Sequence, residues 1–197
     1  MTHHRITPPL FDAGWWQPAR RVPSPNFGPR PPNTRIELLV VHSISLPPGE
    51  YGGPYIDQFF TNHLSAHEHP YFATIATLQV SAHFVIDRKG LATQYVSVDD
   101  RAWHAGRSQW MGRDNCNDWS VGVELEGLEG DTFTSEQYTT LSQLTHDLAG
   151  AYPIRHVAGH SHVAPGRKAD PGPGFDWSLM HQKTASLSLS YPPELLA

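Results

Sequence analysis

Apolar positions along this chain recur with two different periods. Ile36–Val41 (IELLVV) is a nearly continuous run of β-branched and leucine residues, which predicts a buried strand ending at His42. Pro47-Pro48-Gly49 breaks the chain. Within Pro54–Leu64, Ile56, Phe59, Phe60 and Leu64 fall on one face of a short helix. Ala82–Ile86 predicts a strand, Asp87–Gly90 a turn, and Leu91–Val96 a returning strand. Val121–Leu125 alternates with period two. Val121, Val123 and Leu125 share one face, so Gly122, Glu124 and Glu126 share the other.

The helical period is clearest in Ser135–Tyr152, where Tyr138, Leu141, Leu144, Leu148 and Tyr152 make one apolar stripe. Thr134 and Gln137 have the spacing of a capping box at its start. Ile154–Ala158 predicts a short strand leading to His160, and Asp176–Lys183 a last helix. Interleaved strands and helices place the fold in the α/β (α+β) class around one sheet. Residues 1–184 are expected to form a single domain, with 185–197 a loosely packed tail.

Composition narrows the function classes. A chain of 197 residues is long enough for one domain with a real core. The net charge of -5 argues against nucleic acid as a partner, because phosphate binding needs a basic field. Cys116 is the single cysteine, so no intramolecular disulfide forms, which fits a reducing compartment. No stretch is long and apolar enough to span a membrane. Met1–Leu10 is polar and lacks the apolar core of a secretory signal; if that start is native, the expectation is a cytoplasmic protein. His3 and His4 are too few to identify a tag. The 18 prolines cluster, notably in Arg21–Asn33 and Pro165–Pro173, and predict much ordered loop.

Thirteen histidines bring in metal chemistry. Catalytic zinc takes histidine nitrogen and carboxylate oxygen and keeps one position open. His42 ends the most hydrophobic predicted strand, His160 follows another, and Asp170 lies ten residues beyond it, across a segment that Pro165-Gly166 can turn. Together they can supply a His, His, Asp set. By spacing alone, His160 with His162 and His67 with His69 are equally good chelating pairs. Glu124 stands mid-strand among apolar residues, where a carboxylate is costly unless paired or used. Glu126 beside it favours the plainer view that this face meets solvent. Lys168, two residues before Asp170, reads by itself as a solvated loop lysine.

Several segments resemble the bacterial AmpD amidases, 1,6-anhydro-N-acetylmuramyl-L-alanine amidases of peptidoglycan recycling. They are VVHSISLPPGEYGGP (Val40–Pro54), SAHFVIDRKG (Ser81–Gly90), RAWHAG (Arg101–Gly106), CNDWSVGVELEG (Cys116–Gly127) and GHSHVAPGRKADPGPGFDW (Gly159–Trp177), and RRVPSPNFGPRP (Arg20–Pro31) also fits. The resemblance covers about residues 15–177, in the right order. It implies the fold shared with peptidoglycan recognition proteins, a central mixed sheet flanked by helices. It implies one Zn²⁺ per chain on His42, His160 and Asp170, and catalytic roles for Glu124 and Lys168. The substrate it implies is a small anhydromuramyl peptide, cut between the lactyl group of the sugar and L-alanine. Trp103 and His104 are candidate walls of the sugar pocket, with core packing the alternative for Trp103. His83 is expected to be structural or to support a ligand.

The sequence also departs from the family. Ser43 stands where asparagine is common, which makes it a candidate substrate contact. His162 replaces a usual aspartate and raises the question of competition for metal. Gln79 and Asn115 replace arginines that some relatives carry. The competing readings are a non-catalytic peptidoglycan-binding module, a lytic amidase of intact wall, and a structural zinc protein. The three-ligand set disfavours the first and the last.

Overall fold

The computed structural model describes residues 10–192. The readings of the Met1–Leu10 start, with its His3–His4 pair, therefore fall almost wholly outside the described residues, as does the end of the tail.

Six strands form the main sheet: β1 (Arg20–Arg21), β2 (Leu38–Ile44), β3 (Phe84–Ile86), β4 (Ala92–Gln94), β5 (Ser120–Glu126) and β6 (His156–Gly159). Their spatial order is β6-β2-β5-β3-β4-β1. β6, β2, β5 and β3 run parallel, β4 turns back antiparallel to β3, and β1 lies parallel to β4. The sheet is therefore mixed, and the helices flanking it make a single-domain α/β architecture, as expected.

The hydrophobic pattern explains the layers. Leu38, Leu39, Val40 and Val41 are fully buried, because β2 is covered on both faces. One face carries Leu39, Val41, Val121, Val123, Leu125, Phe84 and Ile86 into the main core. There it meets Tyr138, Leu141, Leu144 and Leu148 of helix α3 (Ser135–Ala151). The predicted capping box is present: Thr134 accepts from the Gln137 amide, and Gln137 accepts from the Thr134 amide. On the opposite face Leu38, Val40 and Ala158 pack against Ala105, Cys116 and Trp119. A third cluster gathers Ile56, Phe59, Phe60 and Leu64 around helix α1 (Tyr55–Phe60), as their spacing predicts, together with Phe72 of the short helix α2 (Phe72–Ile75).

Three of the differences from expectation have clear local reasons. β2 runs through His42 to Ile44, because Ser43 and Ile44 still have Leu125 and Glu126 of β5 as register partners. α1 stops at Phe60, where Asn62 takes a left-handed conformation (φ 62°) and the His63 amide closes onto the Gln58 carbonyl. The segment after Thr184 is not loose through Tyr191. Ser190 bridges to β6 through the Val157 and Arg155 backbone, and Tyr191 is buried against Trp177 and His181. An edge strand with open hydrogen-bonding groups and a buried aromatic anchor together hold this segment down.

The proline-rich stretch before β2 is ordered, as expected. Arg30 donates to the carbonyls of Val98, Asn117, Asp118 and Ser120 and ties the stretch to the rest of the fold. Burial lowers its pKa to about 10.

Candidate metal centre

Three adjacent strands present the chemistry at their carboxyl ends, the place where open α/β sheets bind ligands. In the parallel register His42 of β2 lies beside Glu124 of β5. β6 ends at Gly159 opposite Val41, so His160 emerges next to His42 as the first residue of a single-turn helix α4 (His160–Val163). The chain then folds back, as the Pro165-Gly166 turn suggests, and the Asp170 carbonyl accepts from the Ser161 amide.

The result is a tight triangle of donors. His42 Nδ1 lies 2.9 Å from His160 Nδ1 and 3.1 Å from Asp170 Oδ2, and His160 Nδ1 lies 3.0 Å from the same oxygen. All three residues are buried, and the group is one that can hold a metal ion. The electrostatics favour the protonation state a metal requires, a bare imidazole nitrogen and an ionised carboxylate. Burial, then the neighbouring His160, lower the His42 pKa to about 4. For Asp170 burial acts in the opposite sense, but the polar contacts of its Oδ2 with His160 and His42, at 3.0 and 3.1 Å, prevail and hold it well below the usual carboxylate range.

Glu124 reaches the same cavity, a cleft of about 660 Å³ that Ser43, Trp103, Lys168 and the three donors also line. Its Oε2 is shut off from solvent and has no hydrogen-bond partner among the described residues. Burial, then repulsion from Asp170, push its pKa well above the ordinary value, while Lys168 opposes the shift. Glu126, two residues on, is quite different. It is buried and accepts from the Gly52 amide at 2.6 Å and the Arg88 amide at 3.3 Å. The plainer reading, in which this face simply meets solvent, therefore fails at both glutamates.

The rest of the chain sorts by the same geometry. His162 accepts from the Gly159 amide at 2.9 Å and sets its ring edge-on to Trp177, away from the donor triangle. Among the described residues, His67, His69 and His162 join no group of three close donors.

A match to the family model described as N-acetylmuramoyl-L-alanine amidase spans residues 32–173, which takes in all three donors, Glu124 and Lys168. The chain belongs to this amidase family. It is 53% identical over 171 residues to the 1,6-anhydro-N-acetylmuramyl-L-alanine amidase AmpD of Citrobacter freundii, covering 86% of this chain and 91% of that one. A crystal structure of a selenomethionine derivative of AmpD superimposes with a TM-score of 0.85 at 50% identity, over 88% of this chain and 98% of the other. The Escherichia coli amidase AmiD, solved in complex with the substrate anhydro-N-acetylmuramic acid-L-Ala-D-gamma-Glu-L-Lys, gives a TM-score of 0.55 at 28% identity, over 78% of this chain and 60% of that one.

Within the amidase site two placements run beyond the sequence reading. His104 lines the cleft as expected of a pocket wall, but its ring nitrogens point inward, Nδ1 to His42 Nε2 at 2.9 Å and Nε2 to Ser120 Oγ at 3.2 Å. His83 accepts from the Gly122 amide at 3.0 Å and lies one ring further away, so it does not touch a donor residue. Spacing alone gave no sign of the His42–His104 contact, since it joins residues 62 positions apart. Gln79 and Asn115 are exposed and lie outside the walls of the cleft. No helix among the described residues is long and apolar enough to cross a membrane.

Proposed function

We propose that this amidase hydrolyses the amide between the lactyl group of (1,6-anhydro-)N-acetylmuramic acid and L-alanine of a stem peptide, as a cytoplasmic enzyme of peptidoglycan recycling. The observation that carries the proposal is the unpartnered carboxylate oxygen of Glu124 facing the His42, His160, Asp170 triangle. A buried acid without a partner is destabilising, so its retention fits a group whose partner is the reacting water.

The donor set fits zinc. Two imidazoles and one carboxylate are zinc ligands by type, and bond lengths near 2 Å in a tetrahedron put donors about 3.3 Å apart. The triangle here, at 2.9–3.1 Å, is close to that. Three protein ligands leave one position for substrate chemistry, which separates this site from a structural zinc centre. A bound zinc supplies Lewis acidity toward water and toward the amide carbonyl.

The chain's own residues do the rest. Glu124, once ionised, accepts the proton of the attacking water and returns it to the alanine nitrogen as the amide breaks. Lys168 sits on the rim of the same cleft, where its ammonium can face the carbonyl oxygen as negative charge develops. Ser43 and Trp103 line the cleft and are the proposed contacts to the substrate, Trp103 offering a flat face to a sugar ring. The name of the Citrobacter relative, and the ligand in the AmiD complex, both support an anhydromuramyl peptide as the substrate.

The test is a mass-spectrometric assay with zinc-loaded protein. Release of free peptide from an anhydromuramyl peptide, faster than from isolated cell-wall sacculi, is the expected result. Clearing of sacculi at an equal or greater rate would make it a lytic enzyme. Binding without release would make it a recognition module.

A further inference from the structure

His104 and the residue after it contact both histidine ligands at their Nε2 atoms. The hydrogen-bond chain starting at Cys116 determines what they do there. The Cys116 carbonyl can only accept, so the Ser120 hydroxyl donates to it, at 2.5 Å. Ser120 has then used its one proton, and its oxygen accepts from His104 Nε2–H at 3.2 Å. A neutral imidazole carries one N–H, so His104 Nδ1 is bare and accepts from His42 Nε2–H at 2.9 Å. That leaves His42 Nδ1 bare, aimed at the triangle. His160 reaches the same state by a shorter route. Its Nε2 lies 3.2 Å from the Ala105 carbonyl, which can only accept, so its Nδ1 is bare as well.

The dipeptide that does this is itself built in. The His104 and Ala105 amides both donate to the Asn117 side-chain oxygen, at 3.1 and 2.8 Å. Arg167 donates to the Ala105 carbonyl at 2.6 Å and keeps it turned toward His160. The His104 ring fills the space over Gly122, where an added Cβ would lie 2.4 Å from its Cγ, too close for any side chain.

We propose that the His104–Ala105 dipeptide, backed by Ser120 and clamped by Asn117, is the positioning element that presents both histidine ligands through Nδ1 with Nε2–H held behind. The inference rests on the zinc reading above and assigns His104 a role that its place on the wall of the cleft does not suggest. Partners that orient a metal-bound histidine typically contribute about 10- to 100-fold to metal affinity.

The test measures zinc affinity by competition with a chromophoric chelator, together with the ¹⁵N shifts of the ring nitrogens of His42 in metal-free protein. His104→Leu removes the acceptor behind His42 and should weaken zinc about 10- to 100-fold. His104→Asn places an amide oxygen near the former Nδ1 and should recover most of that loss, which a purely space-filling ring would not allow. Ser120→Ala frees His104 to adopt either tautomer and should shift the His42 signals away from a pure Nε2–H form, even if His104→Leu fails to fold. Wild-type affinity in His104→Leu, or unchanged His42 shifts in Ser120→Ala, would overturn the proposal. If the wild-type protein itself does not bind zinc, the failure belongs to the zinc reading instead.

Discussion

The two faces of β5 share one backbone and have opposite relations to water and charge. Val121, Val123 and Leu125 are fully buried in the main core against α3. Gly122, Glu124 and Glu126 face the other way, and on that side each position is used differently. Gly122 gives room to His104, Glu126 closes two backbone amides, and Glu124 keeps an oxygen unsatisfied. Period-two geometry thus lets one strand stabilise the fold on one side while carrying a cost on the other. The contrast between the two glutamates is the more instructive. Identical side chains two residues apart differ in their partners: loop 45–53 and the 87–90 turn each bring a backbone amide to Glu126, and neither closes onto Glu124 Oε2.

The largest expected effect separates these roles. Glu124→Ala should retain zinc, measured by metal analysis, and lose about 10²- to 10⁴-fold in turnover, the usual contribution of a general base. Full activity would end the distinction between the two carboxylates. Lys168→Ala should cost about 10²- to 10³-fold in turnover of an anhydromuramyl peptide, with zinc retained, if its ammonium faces the developing oxyanion. On the core face, Leu141→Ala should lower unfolding free energy by about 2–5 kcal/mol in denaturant titrations while leaving turnover of the folded fraction unchanged. A matching loss of turnover would mean the two faces are coupled.

The smallest effect tests the cost of Glu124 directly. In metal-free protein its folded pKa is raised above the ordinary 4.5. Between those two values the folded state holds a proton that the unfolded chain has released. Stability therefore falls as pH rises from 4.5 toward the folded value, and is flat above it. Glu124→Gln lacks that dependence, so its thermal midpoint should exceed the wild type's by more at pH ~8 than at pH ~5. Equal gaps at both pH values would show that Glu124 carries no burial penalty.

Much of this was legible in residue order. The apolar run of β2, the alternation of β5 and the caps of α3 are local signals, and the structure follows them to within a few residues. The donor triangle was only half legible. His42, His160 and Asp170 stood out as candidates, but spacing ranked His162, His67 and His69 equally, because nothing local reports where the loop after α4 returns. Resemblance to the AmpD amidases made the choice. The contact between His42 and His104 was not legible at all: it depends on a glycine opposite, in β5, and on the register of Ser120. Tyr191 was missed for a related reason. A short tail of serines, leucines and paired prolines reads as loose until the strand edge it lies on is known.

That tail also bears on how the molecule meets its own copies. A sheet of six strands has two outer edges, each able to template a strand from another chain. At one edge, β1 is two residues long and consists of exposed Arg20 and Arg21, too short and too charged to recruit a partner. At the other, Ser190 takes up the β6 backbone at Arg155 and Val157, and Tyr191 anchors the segment next to it. The two edges are guarded by different means, charge at one and the Ser190–Tyr191 segment of the chain itself at the other. Shortening the tail would open the edge next to His160 to intermolecular pairing, so self-association, rather than lost activity, is the first defect such a truncation should show.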